Sequence, residues 1–173
     1  MKNIGIFAGT FDPVHEGHIA FCLVALELCR LDKIYLMPER FPRNKKIVSD
    51  VIERGALLEL AVASIPELEV LSLDEDFFSV ETTLPKLQQR FPGSQITLLL
   101  GSDVACESLP QWDNLEKLLP VIAFAIGVRK THDREQVRTV FQKLETVYGP
   151  IKYRIITSPL GDISSSQARQ TNK

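Results

Sequence analysis

The sequence predicts an α/β fold, an open parallel sheet with helices on both faces, formed as a single domain over residues 1–173. Three observations carry that prediction. Short apolar runs alternate with segments of helical length along the whole chain, the pattern of a parallel sheet covered on both sides. The apolar runs are near-continuous and not alternating, as strands buried on both faces require. Hydrophobic residues make up 45% of the chain and charged residues 24%, which suits one compact core and argues against disorder.

The elements follow in order. Ile4 to Ala8 is an apolar run ending at Gly9, read as a buried strand. A polar loop extends to Gly17. Residues 18–30 are nearly all apolar and too long for a strand, so they read as a buried helix. Lys33 to Met37 is a second strand, stopped by Pro38, and Glu39 to Ser49 is polar, basic and without periodicity. Ser49 or Asp50 caps a helix running to about Ser64, with Pro66 beyond it. Leu68 to Leu73 is a third strand, and Thr82 to Arg90 a helix that stops before Phe91-Pro92-Gly93. Ile96 to Leu100 is a fourth strand, ending in Gly101-Ser102-Asp103. A short helix over Asp113 to Leu119, a strand over Val121 to Ile126, a helix over His132 to Val147 and a strand over Lys152 to Ile156 follow. Ser164 to Gln170 forms a closing helix.

Composition narrows the function. A formal net charge of −2 gives no basic excess for gripping a nucleic-acid backbone. The first apolar run is too short for a signal peptide, and no stretch is long enough to span a bilayer. The cysteines Cys22, Cys29 and Cys106 are odd in number and lack metal-ligand spacing. These features predict a cytoplasmic protein without membrane or nucleic-acid partners. There is no internal repeat or linker, and oligomeric state is left open, a homo-oligomer included.

Ligands in open parallel sheets bind at the carboxyl ends of the strands, where the loops after Ala8, Met37 and Leu100 lie. The first loop reads Gly9-Thr10-Phe11-Asp12-Pro13-Val14-His15-Glu16-Gly17-His18. It lacks the Gly-Lys-Ser/Thr ending of a Walker loop and the dinucleotide glycine fingerprint. His15 and His18 are one residue too close for a zinc-protease pair. What remains is a strand-loop-helix junction with two of the chain's three histidines at a helix start. Free N–H groups and the helix dipole favour an anion there, and imidazoles add donors. Glycines let the backbone come close. The plainer reading makes the histidines capping residues or partly buried polar groups.

This loop resembles the first signature of the nucleotidylyltransferase superfamily, Gly-x-Phe-Asp-x-x-His-x-Gly-His, and matches it at every fixed position. Ile163-Ser164-Ser165-Ser166-Gln167-Ala168-Arg169 resembles the second signature. Alone, that serine-rich stretch would read as a helix cap. Gly101-Ser102-Asp103, Leu109-Pro110-x-Trp112 and Arg54-x-x-x-Leu58-x-x-Ala61 resemble the bacterial nicotinate mononucleotide branch. The resemblance implies a Rossmann-like fold, a single nucleotidylyltransferase domain, and transfer of AMP from ATP with release of pyrophosphate. The implied acceptor is a small phosphorylated molecule, nicotinate mononucleotide in that branch, which would give deamido-NAD.

The resemblance also implies roles. His18 contacts the α-phosphate, and His15 and Arg169 complete the catalytic set with Ser165 and Ser166 on the phosphates. Gly9, Thr10, Phe11 and Gly17 form the ATP loop, and Gly101 and Asp103 line the adenosine side. Arg43, Lys45 and Lys46, with Arg40, form a basic patch for the acceptor phosphate, or a solvated surface loop. Trp112 stacks on a flat ring or packs in the core, and Arg129 lies near the phosphates or on the surface. Mg²⁺ enters with ATP, held by phosphate oxygens and water, with no protein metal site. Asp12 organises the loop.

Two segments depart from that branch. Its Pro-Pro-His-Lys-like loop is here Pro38-Glu39-Arg40-Phe41-Pro42-Arg43-Asn44-Lys45-Lys46, and its Ser-Tyr-Thr is here Phe78-Ser79-Val80. The ATP half is intact and the acceptor half rewritten. The alternatives are a different acceptor or nucleotide donor, an ATP-binding regulatory protein that transfers nothing, and a metal-dependent hydrolase using His15, Asp12 and His18.

Overall fold

The computed structural model describes residues 1–41, 49–73, 75–129 and 131–157. Its centre is a six-stranded parallel sheet in the order β3-β2-β1-β4-β5-β6. The strands are β1 (Asn3–Gly9), β2 (Lys33–Pro38), β3 (Leu68–Val70), β4 (Gln95–Gly101), β5 (Ile122–Val128) and β6 (Lys152–Thr157). The helices are α1 (Glu16–Leu28), α2 (Val51–Val62), α3 (Thr83–Arg90), α4 (Leu115–Leu118) and α5 (Thr131–Tyr148). The expected α/β architecture is therefore present, with strand order reversing between β1 and β4. That reversal opens a crevice at the carboxyl edge, where open α/β sheets take their ligands.

Two apolar layers form because successive side chains on a strand point to opposite faces. Ile96, Leu98 and Leu100 of β4, with Ile122, Phe124, Ile126 and Val128 of β5, join Leu84 and Leu87 of α3 and Phe141 of α5. The opposite face carries Phe7, Leu99 and Ala125 against Phe21 and Cys22 of α1 and Leu58 of α2. This second face is lined by small residues where α1 crosses it. A Cβ at Gly127 would meet the Phe21 ring at 3.1 Å, and one at Gly5 would meet Ile34 Cγ1 at 2.7 Å. Close approach of α1 to the sheet fixes where its histidine-bearing start sits.

Three expectations are corrected. The helix of residues 18–30 is not buried all round: Leu23 and Leu28 are exposed, and the sheet covers only the side with Phe21, Cys22 and Ala25. The third strand ends at Val70 and not at Leu73. The stretch before Leu115 is not a loop: Val104–Ser108 forms a π-helical turn and Leu109–Gln111 a 3₁₀ turn. A single π-helical turn is commonly associated with a functional site. The expected helix over Ser164 to Gln170 lies outside the described residues.

Candidate active site

The loop between β1 and α1 is built around two aromatic residues and a helix start. Phe11 takes a left-handed backbone conformation, φ 48°, which is unusual for a bulky side chain. Its ring is buried, packing edge-on against Phe7 at 5.2 Å and against His18 at 5.1 Å. Gly9 is needed beneath it, since a Cβ there would lie 3.2 Å from the Phe11 ring. The aromatic pair thereby forms a wall that holds the His18 ring in one orientation.

His15 takes the N-cap position of α1, as the capping reading expects. The His15 N–H donates to His18 Nδ1 at 3.2 Å, and the two rings stack at 3.7 Å. A neutral His18 whose Nδ1 accepts carries its proton on Nε2, the tautomer that can donate to a phosphate oxygen. Both ring nitrogens of His15 and the Thr10 hydroxyl are buried with no hydrogen-bond partner among the described residues. Such groups are costly unless a ligand satisfies them.

Burial, and then the Arg129 guanidinium at the end of β5, push His15 down to about 4. Arg129, though its own side chain is exposed, lies near enough to His15 to disfavour its charge. His15 is neutral at pH 7. Its native pKa lies below the unfolded value of about 6.5, so the unfolded chain takes up the proton first as pH falls. The stability tied to neutral His15 is complete above about 6.5 and is lost as pH falls towards the native value near 4. Arg129→Gln is expected to raise His15 only part of the way to its ordinary value, because burial, the larger cause, remains. An imidazole NMR titration checks this; an unmoved His15 would remove Arg129 from the site.

Gly101 and Asp103 lie at the end of β4, across the crevice from the first loop. A Cβ on Gly101 would stand 2.6 Å from Asp103 Oδ1. Asp103 is exposed and can swing away, so Gly101→Ala is expected to leave folding unchanged while displacing this carboxylate. Should Asp103 hold the adenosine side, as the resemblance implies, losing that hydrogen bond, about 0.5–1.5 kcal/mol, would raise the KM for ATP roughly two- to tenfold. Steady-state kinetics with a thermal melt tests it; an unaltered KM would take Asp103 out of the adenosine contact.

Trp112 is half-buried and stacks on Phe78, with ring centroids 5.4 Å apart and planes at 29°. Neither alternative for Trp112 is complete: it packs against the core on one side and lines a cleft with Phe78, Val80 and Asn114 on the other. Gly17 lies in the first turn of α1. Arg43, Lys45, Lys46, Ser165, Ser166 and Arg169 lie outside the described residues. Among the described residues no group of three or more His, Cys, Asp or Glu is placed to hold a metal ion. Nor is any helix there long and apolar enough to cross a membrane.

Arg54 received no role from its sequence and holds the site together. It is 1% exposed. Its guanidinium donates to the carbonyls of Thr10, Arg40 (3.4 Å) and Ser49 (3.2 Å). Asp12, Asp50 and Glu39 favour its charge, while burial opposes it more strongly and lowers its pKa. The signal was available in the spacing. Arg54, Leu58 and Val62 form the buried stripe of α2, and a charge on that stripe demands buried partners.

Comparison with known proteins places this geometry. The family model described as cytidylyltransferase-like matches residues 6–171. The chain belongs to the cytidylyltransferase-like family. A nicotinate-nucleotide adenylyltransferase of Bacillus subtilis is 38% identical over 135 residues, covering 75% of this chain and 70% of that protein. A probable nicotinate-nucleotide adenylyltransferase of Bacillus licheniformis is 34% identical over a 178-residue alignment, covering 100% of this chain and 87% of that one. In fold, the family member resembles Plasmodium falciparum nicotinic acid mononucleotide adenylyltransferase complexed with NaAD. The TM-score is 0.74 at 24% identity, covering 98% of this chain and 83% of that chain. These relatives make the chain a nucleotidyltransferase.

Proposed function

We propose that this family member is a nicotinate-nucleotide adenylyltransferase acting in the cytoplasm, joining AMP from ATP to nicotinate mononucleotide with release of pyrophosphate. The observation that carries the reading is the cluster of unsatisfied groups, Thr10 Oγ1 and both His15 ring nitrogens, beside His18 at the start of α1. A triphosphate accepts from the Thr10 hydroxyl and from the one protonated nitrogen of neutral His15, at the positive end of a helix.

An acceptor phosphate oxygen attacks the α-phosphorus of ATP in line with the bond to the β-phosphate. The new phosphorus–oxygen bond forms as the old one breaks, and pyrophosphate leaves with the electron pair. A phosphate dianion is already a nucleophile, so no general base is required. Catalysis is positioning and charge stabilisation. His18 donates through Nε2 to an α-phosphate oxygen as charge builds there. His15, held neutral, donates from one nitrogen to the β- and γ-phosphates, and Thr10 does so through its hydroxyl. Arg169, Ser165 and Ser166 are assigned to the leaving pyrophosphate by the second signature, and Arg43, Lys45 and Lys46 to the acceptor phosphate. Mg²⁺ fits as a companion of the triphosphate, screening the phosphate charges. The described carboxylates form no cage for it, and Asp12 interacts instead with Arg54.

The test is pyrophosphate release from Mg²⁺-ATP across a panel of phosphate acceptors. Turnover with nicotinate mononucleotide is expected. Turnover with another acceptor alone would keep the ATP half and overturn the acceptor. Tight ATP binding without release for any acceptor would favour a regulatory, non-transferring protein.

A further inference from the structure

The two segments that depart from the nicotinate branch are 39 residues apart in sequence and bonded to each other in the fold. The Phe78 N–H donates to Glu39 Oε1 at 2.8 Å. The Glu39 main-chain N–H donates to the Gly9 carbonyl at 2.9 Å. One residue is therefore fixed to the end of β1, where the triphosphate loop begins, and through its carboxylate fixes Phe78. Phe78 is 3% exposed and stacks on Trp112. The chain of contacts runs from Gly9 through Glu39 and Phe78 to the Trp112 face of the cleft.

We propose that Glu39 is a positioning residue for the acceptor: it sets the Phe78–Trp112 stack at a fixed distance from the triphosphate loop, so that a flat-ringed acceptor lies in line with the α-phosphate. The inference rests on the adenylyltransferase reading and names what aligns its second substrate. A carboxylate suits the task because it is an acceptor only and makes a strong, charge-assisted bond to a main-chain N–H. A second bond joins the same two segments, the Phe41 N–H donating to the Asp76 carbonyl at 2.8 Å, while the Ser79 N–H and hydroxyl are turned inward on the start of α3, to Thr83, Glu81 and Thr82. The two departures thus meet directly, the Glu39 carboxylate holding the main chain at Phe78.

The chain has one tryptophan, so its emission reports this stack directly. The experiment compares Glu39→Ala and Glu39→Gln in the full chain, by Trp112 emission and by KM for each substrate. In Glu39→Ala the emission is expected to shift to the red. The KM for nicotinate mononucleotide is expected to rise about tenfold, the loss of one charged hydrogen bond, while the KM for ATP stays within about twofold. Glu39→Gln keeps an oxygen acceptor and is expected to restore both readings. Unchanged emission in Glu39→Ala, or equal rises in both KM values, would overturn the proposal. So would a Gln variant as impaired as the Ala variant. If the wild-type chain turns over no acceptor, the proposed function fails by itself, and the emission comparison still decides whether Glu39 holds the stack.

Discussion

Alanine at His18 is expected to lower kcat by about two to three orders of magnitude, the usual cost of deleting one donor to a developing oxyanion. The KM for ATP is expected to change far less. The reason lies in which state the donor serves. His18 Nδ1 accepts from the His15 N–H, so the neutral ring in this arrangement carries its proton on Nε2. Its orientation is fixed further by Phe7 and Phe11, whose rings lie 5.9 Å and 5.1 Å from it. A donor fixed before ATP arrives needs no reorganisation when charge builds on the α-phosphate, and binding in the ground state gains less from it than the transition state does. His15→Ala is expected to do less damage to kcat, because its ring meets the phosphates that leave. Steady-state kinetics of both variants, with circular dichroism to verify folding, is the measurement. A His18→Ala enzyme with more than about a tenth of wild-type kcat would rule out a donor of this magnitude.

Much of this was legible in the sequence, and the limits have physical causes. The four inner strands could be read because they are largely buried on both faces and so nearly continuous in apolar residues, whereas the edge strands β3 and β6 are partly exposed and gave a weaker signal, β3 being read three residues too long. The histidine loop could be read because Gly9 to His18 matches the first nucleotidylyltransferase signature at every fixed position, with spacing arguing against the Walker and zinc-protease patterns. The partial exposure of α1 was not legible, since an apolar surface records no direction when every side of the helix is apolar. The π-helical turn of Val104–Ser108 was hidden because its bonding depends on packing against α5 and β4, not on local propensity. Glu39 and Phe78 were visible only as mismatches. Their bond spans 39 residues, and nothing in a single chain's periodicity reports a long-range pairing of that kind. Arg129 was legible only through the resemblance, as a residue near the phosphates; its effect on His15 was not, because that depends on the tertiary placement of the end of β5 relative to the first loop.

Replacing Arg54 with methionine is expected to cost about 3 kcal/mol of stability or more, with loss of activity beyond what unfolding explains. Two effects compete. Removing a buried guanidinium abolishes its desolvation cost, and a methionine of similar length leaves little cavity; where all partners can be replaced by apolar groups, such a change is often neutral. Here they cannot be replaced. The three acceptors are main-chain carbonyls of Thr10, Arg40 and Ser49, which stay where they are and lose their donor. The Thr10 carbonyl becomes a buried orphan at about 1–3 kcal/mol, the part-buried Ser49 and Arg40 carbonyls cost less, and buried Asp12 loses the cation that balances it, so the second effect wins. For a chain of this size the melting temperature is expected to fall by roughly 6–12 °C. The effect is expected to persist at 1 M salt, because a guanidinium only 1% exposed is poorly screened. Arg54→Lys is expected to recover part of the stability and little of the activity, since one ammonium cannot span three carbonyls in different segments. The KM for ATP separates the two consequences. Because Arg54 holds the Thr10 carbonyl, the phosphate loop loosens in both variants, and the KM is expected to rise even at temperatures where each is fully folded. A variant with a wild-type melting temperature would show that the three carbonyls find other donors, and Arg54 would then hold neither the loop nor the fold.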